Sequence, residues 1–144
     1  MARPLPDLVL FLDECLGVTD VPTALRTAGI TCELLHDHFA AGTADQDWLA
    51  AIAARGWVVL TKDQRIRRRQ AELQALITAK VAAFVLTSGD LTGAAMGAAF
   101  VLAYPRMQKL LRDYEPPFVA AVDSSGKVKL VTAATKRAAK KREP

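Results

Sequence analysis

Four acidic residues of the sequence, Asp13, Glu14, Asp45 and Asp63, are placed so that their side chains can meet. Asp13 and Glu14 directly follow the apolar run Leu8 to Leu12, and Asp63 follows a second apolar run by two residues. Carboxylates crowded together repel one another, so such a cluster is tolerated mainly when a divalent cation neutralises it. Hard oxygen ligands favour Mg²⁺ or Mn²⁺ over Zn²⁺. The four acids therefore predict a divalent-metal site.

Each of these acids also has a structural explanation. Asp45 begins one predicted helix and Asp63 directly precedes another, and an Asp at either place can cap the first turn and interacts well with the positive end of the helix dipole. Asp47 is the alternative to Asp45 at its position. An Asp–Glu pair at the end of an apolar strand is harder to explain in this way, because acids beside a buried run are costly unless they are paired or solvated. The pattern therefore favours a functional role most clearly at Asp13 and Glu14.

Short apolar runs predict the strands that hold these acids. They are Leu8–Leu12, Ile30–Leu35, Trp57–Thr61, Val81–Leu86 and Phe118–Val122. Each run is apolar on both alternating faces, as expected for strands of a parallel sheet that helices cover on both sides. A last strand, Lys127 to Val131, is predicted to form a hairpin with the fifth strand after the turn Asp123-Ser124-Ser125-Gly126.

Four helices are predicted between the strands. They run from Asp20 to a stop at Gly29, from Asp45 to Arg55, from about Gln64 through Ile77, and from about Thr92 to Asp113. Pro105 is expected to kink the last helix or divide it in two. Alternating strands and helices predict a three-layer α/β/α sandwich with a mostly parallel, roughly five-stranded sheet. In such sheets ligands bind outside the carboxyl ends of the strands, where the acids follow.

Composition and charge limit the class of protein. A chain of 144 residues that is 51% hydrophobic indicates one domain, residues 1–132. Residues 133–144 are basic without a large apolar residue, which predicts a disordered tail. The net charge of +4 favours an anionic partner. Cys15 and Cys32 lack metal-binding spacing and are typical of buried thiols in a reducing cytoplasm. No apolar run is typical of a signal peptide or a bilayer span, which predicts a soluble cytoplasmic protein.

Two segments of the chain resemble a known family. The segment Asp45-Gln-Asp-Trp-Leu-Ala-Ala-Ile-Ala and the following Gly56-Trp-Val-Val-Leu-Thr-Lys-Asp63 resemble the second half of a PIN domain, in which an Asp opens a helix and a strand ends in Thr-x-Asp. Phe11-Leu-Asp-Glu14 resembles the opening strand of the compact PIN-like branch. PIN domains are metal-dependent ribonucleases, and many bacterial ones are VapC-type toxins that a cognate antitoxin neutralises.

This resemblance implies an Mg²⁺- or Mn²⁺-dependent ribonuclease with Asp13 as the central metal ligand. Glu14 and Asp63 would complete the metal shell, Asp45 would bind the metal or orient the attacking water, and the Thr61 hydroxyl would hold Asp63 in place. Larger PIN domains carry a Glu on a helix between the first and third acids, and the compact branch gives that role to Glu14. The implied partners are an RNA substrate and an antitoxin protein. The apolar part of the fourth predicted helix is a candidate surface for a homodimer.

A basic run begins beside the predicted metal site, where it would position RNA through its phosphates. Its members are Lys62, Arg65, Arg67, Arg68 and Arg69. A solvated helix face explains the same residues equally well. The run has no interleaved aromatic residues, so it offers little base stacking and no sequence readout. Four further polar residues follow strands two and four and are candidates for the same edge or for simple loops and turns: His36, His38, Thr87 and Asp90.

Two other classes of protein fit part of the pattern. A response-regulator-like receiver has an acid pair after strand one, an Asp after strand three and a Thr after strand four, and this chain has all three. A receiver also needs a Lys after strand five, where this chain has Asp123-Ser124-Ser125, and that difference counts against it. A non-catalytic nucleic-acid-binding protein would use the arginine run and the basic tail while the acids cap helices.

Overall fold

A computed structural model describes residues 5–64, 69–88 and 90–137 of the chain. Its strands are β1 (Val9–Leu12), β2 (Thr31–Leu34), β3 (Val58–Thr61), β4 (Ala82–Leu86), β5 (Tyr114–Glu115), β6 (Phe118–Val122), β7 (Val128–Leu130) and β8 (Thr135–Lys136). Its helices are α1 (Asp20–Thr27), α2 (Leu35–His38), α3 (Asp45–Ala54), α4 (Gln70–Ala79) and α5 (Gly93–Asp113), and a 3-10 turn covers Glu14–Leu16. The prediction started the third helix near Gln64, whereas α4 begins at Gln70; residues 65–68 lie outside the described residues.

The main sheet has six strands in the order β2-β1-β3-β4-β6-β7. All neighbours are parallel except β7, which runs antiparallel to β6. The predicted mostly parallel sheet is therefore confirmed, together with the hairpin at its edge. The chain passes from β1 to β2 on one side and returns to β3 on the other side of β1. Because the direction of the connections reverses there, a crevice is expected at the carboxyl ends of β1 and β3.

Helices cover both faces of the sheet and give the predicted three layers. One face, with Leu10 and Leu60, packs with buried residues of α1 and α5. The opposite face, with Phe11 and Val59, packs with buried residues of α3 and α4. These four strand residues are fully buried. Burial on both faces explains why the strands show no alternation of apolar and polar residues.

Helix α5 is one continuous helix through Pro105, so of the two predicted outcomes, a kink or a division into two helices, the division is wrong. A proline removes only one backbone hydrogen bond, and Ala103 and Met107 on either side are fully buried and hold both halves against the core. The Thr92 hydroxyl accepts a hydrogen bond from the Ala95 N–H at 3.1 Å and caps the helix. Neither α5 nor any other helix of the described residues is long and apolar enough to cross a membrane.

Gly97 lies where α5 packs on α1. A Cβ at this position would lie 2.7 Å from the Cβ of Ala24 and 3.3 Å from the backbone oxygen of Asp20. We expect Gly97→Ala to lower the free energy of unfolding by about 1–3 kcal/mol, although Ala is a better helix former than Gly. Urea denaturation measures the change. Adding Ala24→Gly should recover part of the loss, and a Gly97→Ala protein as stable as the wild type would contradict this packing.

The chain remains attached to the domain beyond residue 132. The sequence predicts a tail from residue 133, but β8 pairs antiparallel with β5. In addition, the Arg137 guanidinium donates a hydrogen bond to the carbonyl oxygen of Leu111 at 2.9 Å. Residues 133–137 lack large apolar side chains, so the backbone pairing and this hydrogen bond hold them against the domain. The rest of the predicted tail, residues 138–144, lies outside the described residues.

Candidate metal centre

An open pocket of about 240 Å³ lies where β1 and β3 end, beside the beginnings of α3 and α4. Three of the predicted acids, Asp13, Asp45 and Asp63, line this pocket together with a fourth acid, Glu72. The other lining residues are Ala44, Gln46, Trp48, Leu49, Ala71 and Ala75. The structure thus brings four acids from two strand ends and two helices to one cavity, which we call the acidic pocket.

Asp13 is held in place by strand β3. Its backbone N–H donates to the carbonyl oxygen of Leu60 at 3.0 Å, and its Oδ2 accepts a hydrogen bond from the Thr61 hydroxyl at 2.9 Å. Thr61 is fully buried, and its hydroxyl oxygen accepts a hydrogen bond from the backbone N–H of Asp63 at 3.0 Å. One buried hydroxyl therefore joins the two acids that follow neighbouring strands.

The electrostatics at Asp13 favour a cation. Burial raises the pKa of its carboxyl group above the ordinary value, and the charge of Asp45 raises this pKa further. Hydrogen bonds from Thr61, Cys15 and the backbone of Glu14 lower it in part. A poorly solvated carboxylate close to a second negative charge gains from a neighbouring positive ion. A divalent cation in the acidic pocket would supply that charge.

Asp45 is positioned by Trp48, one helical turn away. The indole Nε1–H of Trp48 donates to Asp45 Oδ1 at 3.1 Å. The N-cap residue of α3 is Ala44, so Asp45 lies in the first helical turn and does not cap the helix through its side chain. The alternative residue, Asp47, is exposed and does not line the pocket. Of the two, only Asp45 is placed beside the other acids.

Glu14 is the one predicted acid outside the pocket lining, and its role at a metal stays a prediction. It is the first residue of the 3-10 turn, in which Leu16 packs into the core. The Glu14 side chain is exposed and does not line the acidic pocket. The 3-10 turn begins directly after Asp13, so the two consecutive acids have different surroundings. The structure thus separates the two acids of the Asp–Glu pair.

The donors fit a hard divalent cation that keeps water in its remaining positions. Among the described residues, no three His, Cys, Asp or Glu side chains are close enough together to hold one ion between them. Mg²⁺ does not require such a cage, because it retains several waters and takes one or two carboxylates. The fit rests on the poorly solvated Asp13 and on Glu72, whose Oε2 is buried and has no hydrogen-bond partner among the residues described.

Comparison with known families matches the segment that contains the acidic pocket. The family model described as "PIN like domain" matches residues 8–88, which is more than half of the chain. The chain belongs to the PIN-like domain family. It is also similar to a protein of Mycobacterium tuberculosis named "Putative ribonuclease VapC45", with 26% identity over 126 residues that cover 85% of this chain and 91% of that protein. No solved structure matches this PIN-like domain.

Sheet topology alone does not separate a PIN-like domain from a receiver. The order of the parallel strands here is one that receivers also use, with its switch point between the first and third strands. The family match decides, and two residues agree with it. The Thr87 hydroxyl donates to the carbonyl oxygen of Val122 at 3.3 Å and does not line the pocket. A receiver needs a Lys directly after the fifth long strand, and this chain has Asp123 there. Asp123 accepts hydrogen bonds from the backbone N–H groups of Ser125 and Lys127 in the hairpin turn.

The other polar candidates after strands two and four lie outside the pocket lining. His38 Nε2 is 2.7 Å from Glu33 Oε1, and the His38 ring packs against the edge of Trp57. His36 Nε2 is 3.2 Å from an Asp37 oxygen, and both residues belong to the short helix α2. Asp90 is exposed in the turn that precedes α5, and the pocket lining does not include it.

Sequence reasoning missed Cys15 and Glu72 as members of this site. The Sγ atom of Cys15 is 3.3 Å from Thr61 Oγ1 and 3.7 Å from Asp13 Oδ2. Burial raises the pKa of the Cys15 thiol, so it is neutral beside the acids. Glu72 follows the basic run on which the prediction for this segment rested. Knowing that α4 begins at Gln70 would have placed Glu72 in a first turn near the strand ends.

Two residues of the basic run are described. Lys62 lies between Thr61 and Asp63 directly after β3 and is partly buried. Arg69 is the N-cap residue of α4, and its Nη1 is 4.0 Å from Oε1 of Glu72. Both basic residues are therefore next to residues of the acidic pocket. The other members of the run, Arg65, Arg67 and Arg68, lie outside the described residues.

Proposed function

We propose that this PIN-like domain is a metal-dependent endoribonuclease that hydrolyses RNA phosphodiesters and acts as the toxin of a bacterial type II toxin–antitoxin pair. The observation that carries the proposal is the pair Asp13 and Asp63, which follow neighbouring strands, share one buried hydroxyl and line one acidic pocket. The similarity to a protein that is named as a VapC ribonuclease supports the same activity.

The residues of the pocket have distinct roles in this proposal. A bound Mg²⁺ or Mn²⁺ would supply a reactive water and stabilise the leaving oxygen. Asp13 would hold the ion, and Asp63 would join it directly or through water. Asp45, held by Trp48, would bind the ion or orient the attacking water. Glu14 is left out of the metal shell because its side chain does not line the pocket.

Positive charge next to the pocket would hold the RNA backbone. Lys62, next to Asp63, and Arg69, near Glu72, would contact phosphates of the RNA. Arg65, Arg67 and Arg68 belong to this part of the proposal on their sequence positions. Such contacts release counterions from RNA, so RNA binding should weaken steeply as salt rises. They position the substrate and carry no sequence information.

An antitoxin and a homodimer belong to the same proposal. The antitoxin would cover the crevice or insert a basic group near the acids, where it would satisfy their charge in place of the cation. A second copy would pack on helix α5, in whose apolar part Leu102 is 57% exposed.

The test incubates the full chain with structured and single-stranded RNA in the presence of Mg²⁺, Mn²⁺ or a chelator. We expect phosphodiester cleavage with either ion and none with the chelator. A non-catalytic nucleic-acid-binding protein would retain RNA under all three conditions and leave it intact. Intact RNA across a broad pool of sequences would contradict the nuclease, and cleavage in the chelator would contradict the dependence on metal.

A further inference from the structure

Glu72 is the acid of the pocket to which the sequence pattern gives no role. It is the third residue of α4 and lines the pocket with Asp13, Asp45 and Asp63. Its Oε2 is buried, and no described residue donates a hydrogen bond to it. Its other oxygen, Oε1, is 4.0 Å from Nη1 of Arg69, whose side chain is largely exposed. The carboxylate therefore has one oxygen near a basic side chain and one buried without a partner.

The usual structural roles of such a Glu do not explain the buried oxygen. An acid in the first turn of a helix interacts with the dipole, and a Glu at the third helical position often accepts a hydrogen bond from the N-cap backbone. Oε2 accepts no such bond here. The ion pair with Arg69 is long and exposed, and pairs of this kind contribute little. A carboxylate oxygen that is buried without a partner is costly unless a cation or water satisfies it.

We infer that Glu72 is a further metal-binding residue of this pocket, with Oε2 binding the cation directly or through water. The inference rests on the proposed metal-dependent nuclease. A cation would supply the partner that Oε2 lacks, and it would reduce the repulsion among Asp13, Asp45 and Asp63 at the same time. Glu72 would thus provide the helix-borne acid that Glu14, with its exposed side chain, does not provide.

The experiment measures Mn²⁺ binding to the full chain by titration calorimetry without RNA, and thermal unfolding in a chelator. Glu72→Gln keeps the shape of the side chain and removes its charge. We expect its Kd for Mn²⁺ to rise by at least about tenfold, while its melting temperature in the chelator stays equal to that of the wild type or rises. Glu115→Gln is the matched control, because Glu115 is exposed on β5 outside the pocket lining, and it should bind Mn²⁺ as the wild type does.

The outcomes separate this inference from the proposed function. Mn²⁺ binding that is lost in Asp13→Asn and unchanged in Glu72→Gln would overturn the inference and leave the metal-dependent nuclease intact. A lower melting temperature in the chelator with unchanged Mn²⁺ affinity would make Glu72 a helix-stabilising residue and would also overturn it. A wild-type protein that binds no Mn²⁺ would contradict both proposals.

A second variant keeps the test decisive if Glu72→Gln does not fold. Glu72→Asp retains the charge on a shorter side chain and keeps an acid in the first turn of α4. We expect its Mn²⁺ affinity to be weaker than that of the wild type, because its carboxylate reaches less far into the pocket. An unchanged affinity in Glu72→Asp would count against a ligand at this position.

Discussion

Replacing Asp13 with Asn is expected to lower kcat/KM for RNA cleavage by at least about a hundredfold. The substitution removes the charge that would hold the cation and keeps an oxygen that can accept the hydrogen bond of Thr61. Backbone pairing of residue 13 with Leu60 does not depend on the side chain and should remain. The loss should therefore come from metal binding, and titration of the variant with Mn²⁺ should show it directly.

The same variant should not be less stable than the wild type when metal is absent. Because burial raises the pKa of Asp13, the folded protein binds the Asp13 proton more tightly than the unfolded chain does. Asp13 therefore stabilises the folded state most at a pH below 3.8, the ordinary pKa of an Asp in the unfolded chain. This stabilisation is lost as the pH rises through the higher pKa of the folded state. Asn has no proton to lose. In a chelator near neutral pH, Asp13→Asn should melt at the wild-type temperature or above it.

Two further variants define the effect of Asp13→Asn. Asp63→Asn should also reduce cleavage strongly, because Asp63 lines the same pocket. Asp7→Asn is the matched control, since Asp7 is exposed before β1 at the opposite end of the strand from Asp13, and it should cleave RNA as the wild type does. RNA cleavage that survives in both Asp13→Asn and Asp63→Asn would contradict the proposed site.

Strand ends explain how the sequence could place Asp13 and Asp63 at one edge of the sheet. The apolar runs that become β1 and β3 are buried on both faces, so their ends are sharp in the sequence. Residues that follow two parallel strands lie at one edge of the sheet whatever the details of the helices. The sequence does not give the order of the strands. The structure shows that β1 and β3 are neighbours at the switch point of the sheet.

The surroundings of Glu14 and Glu72 could not be predicted from the sequence. A 3-10 turn of three residues is too short to leave a periodic pattern, so nothing in the sequence showed that Glu14 would be exposed outside the pocket lining. Where a helix begins decides in which turn a residue lies, while the spacing from its neighbours decides its face. A helix from about Gln64 would hold Glu72 in its third turn, whereas the start of α4 at Gln70 puts Glu72 in the first turn, beside the pocket.

Thr61→Val is expected to reduce kcat by about 10–100-fold, as the loss of a residue that orients a metal ligand commonly does. The two side chains have nearly the same shape, so the fully buried position stays filled. Val cannot donate a hydrogen bond to Asp13 Oδ2 or accept one from the backbone N–H of Asp63. Both acids lose their common anchor, and the free energy of unfolding should fall by about 1–3 kcal/mol.

The pH dependence of Thr61→Val distinguishes an anchor for the acids from a packing residue. The hydrogen bond from Thr61 lowers the pKa of Asp13, so its loss should raise that pKa further and strengthen proton competition with the cation. As the pH is lowered, the variant should therefore lose RNA cleavage at a higher pH than the wild type does. Thr61→Ser keeps the hydroxyl, loses only a methyl group, and should restore the wild-type pH profile even if it is somewhat less stable. A Thr61→Ser profile like that of Thr61→Val would mean that the methyl contact, and not the hydroxyl, positions Asp13.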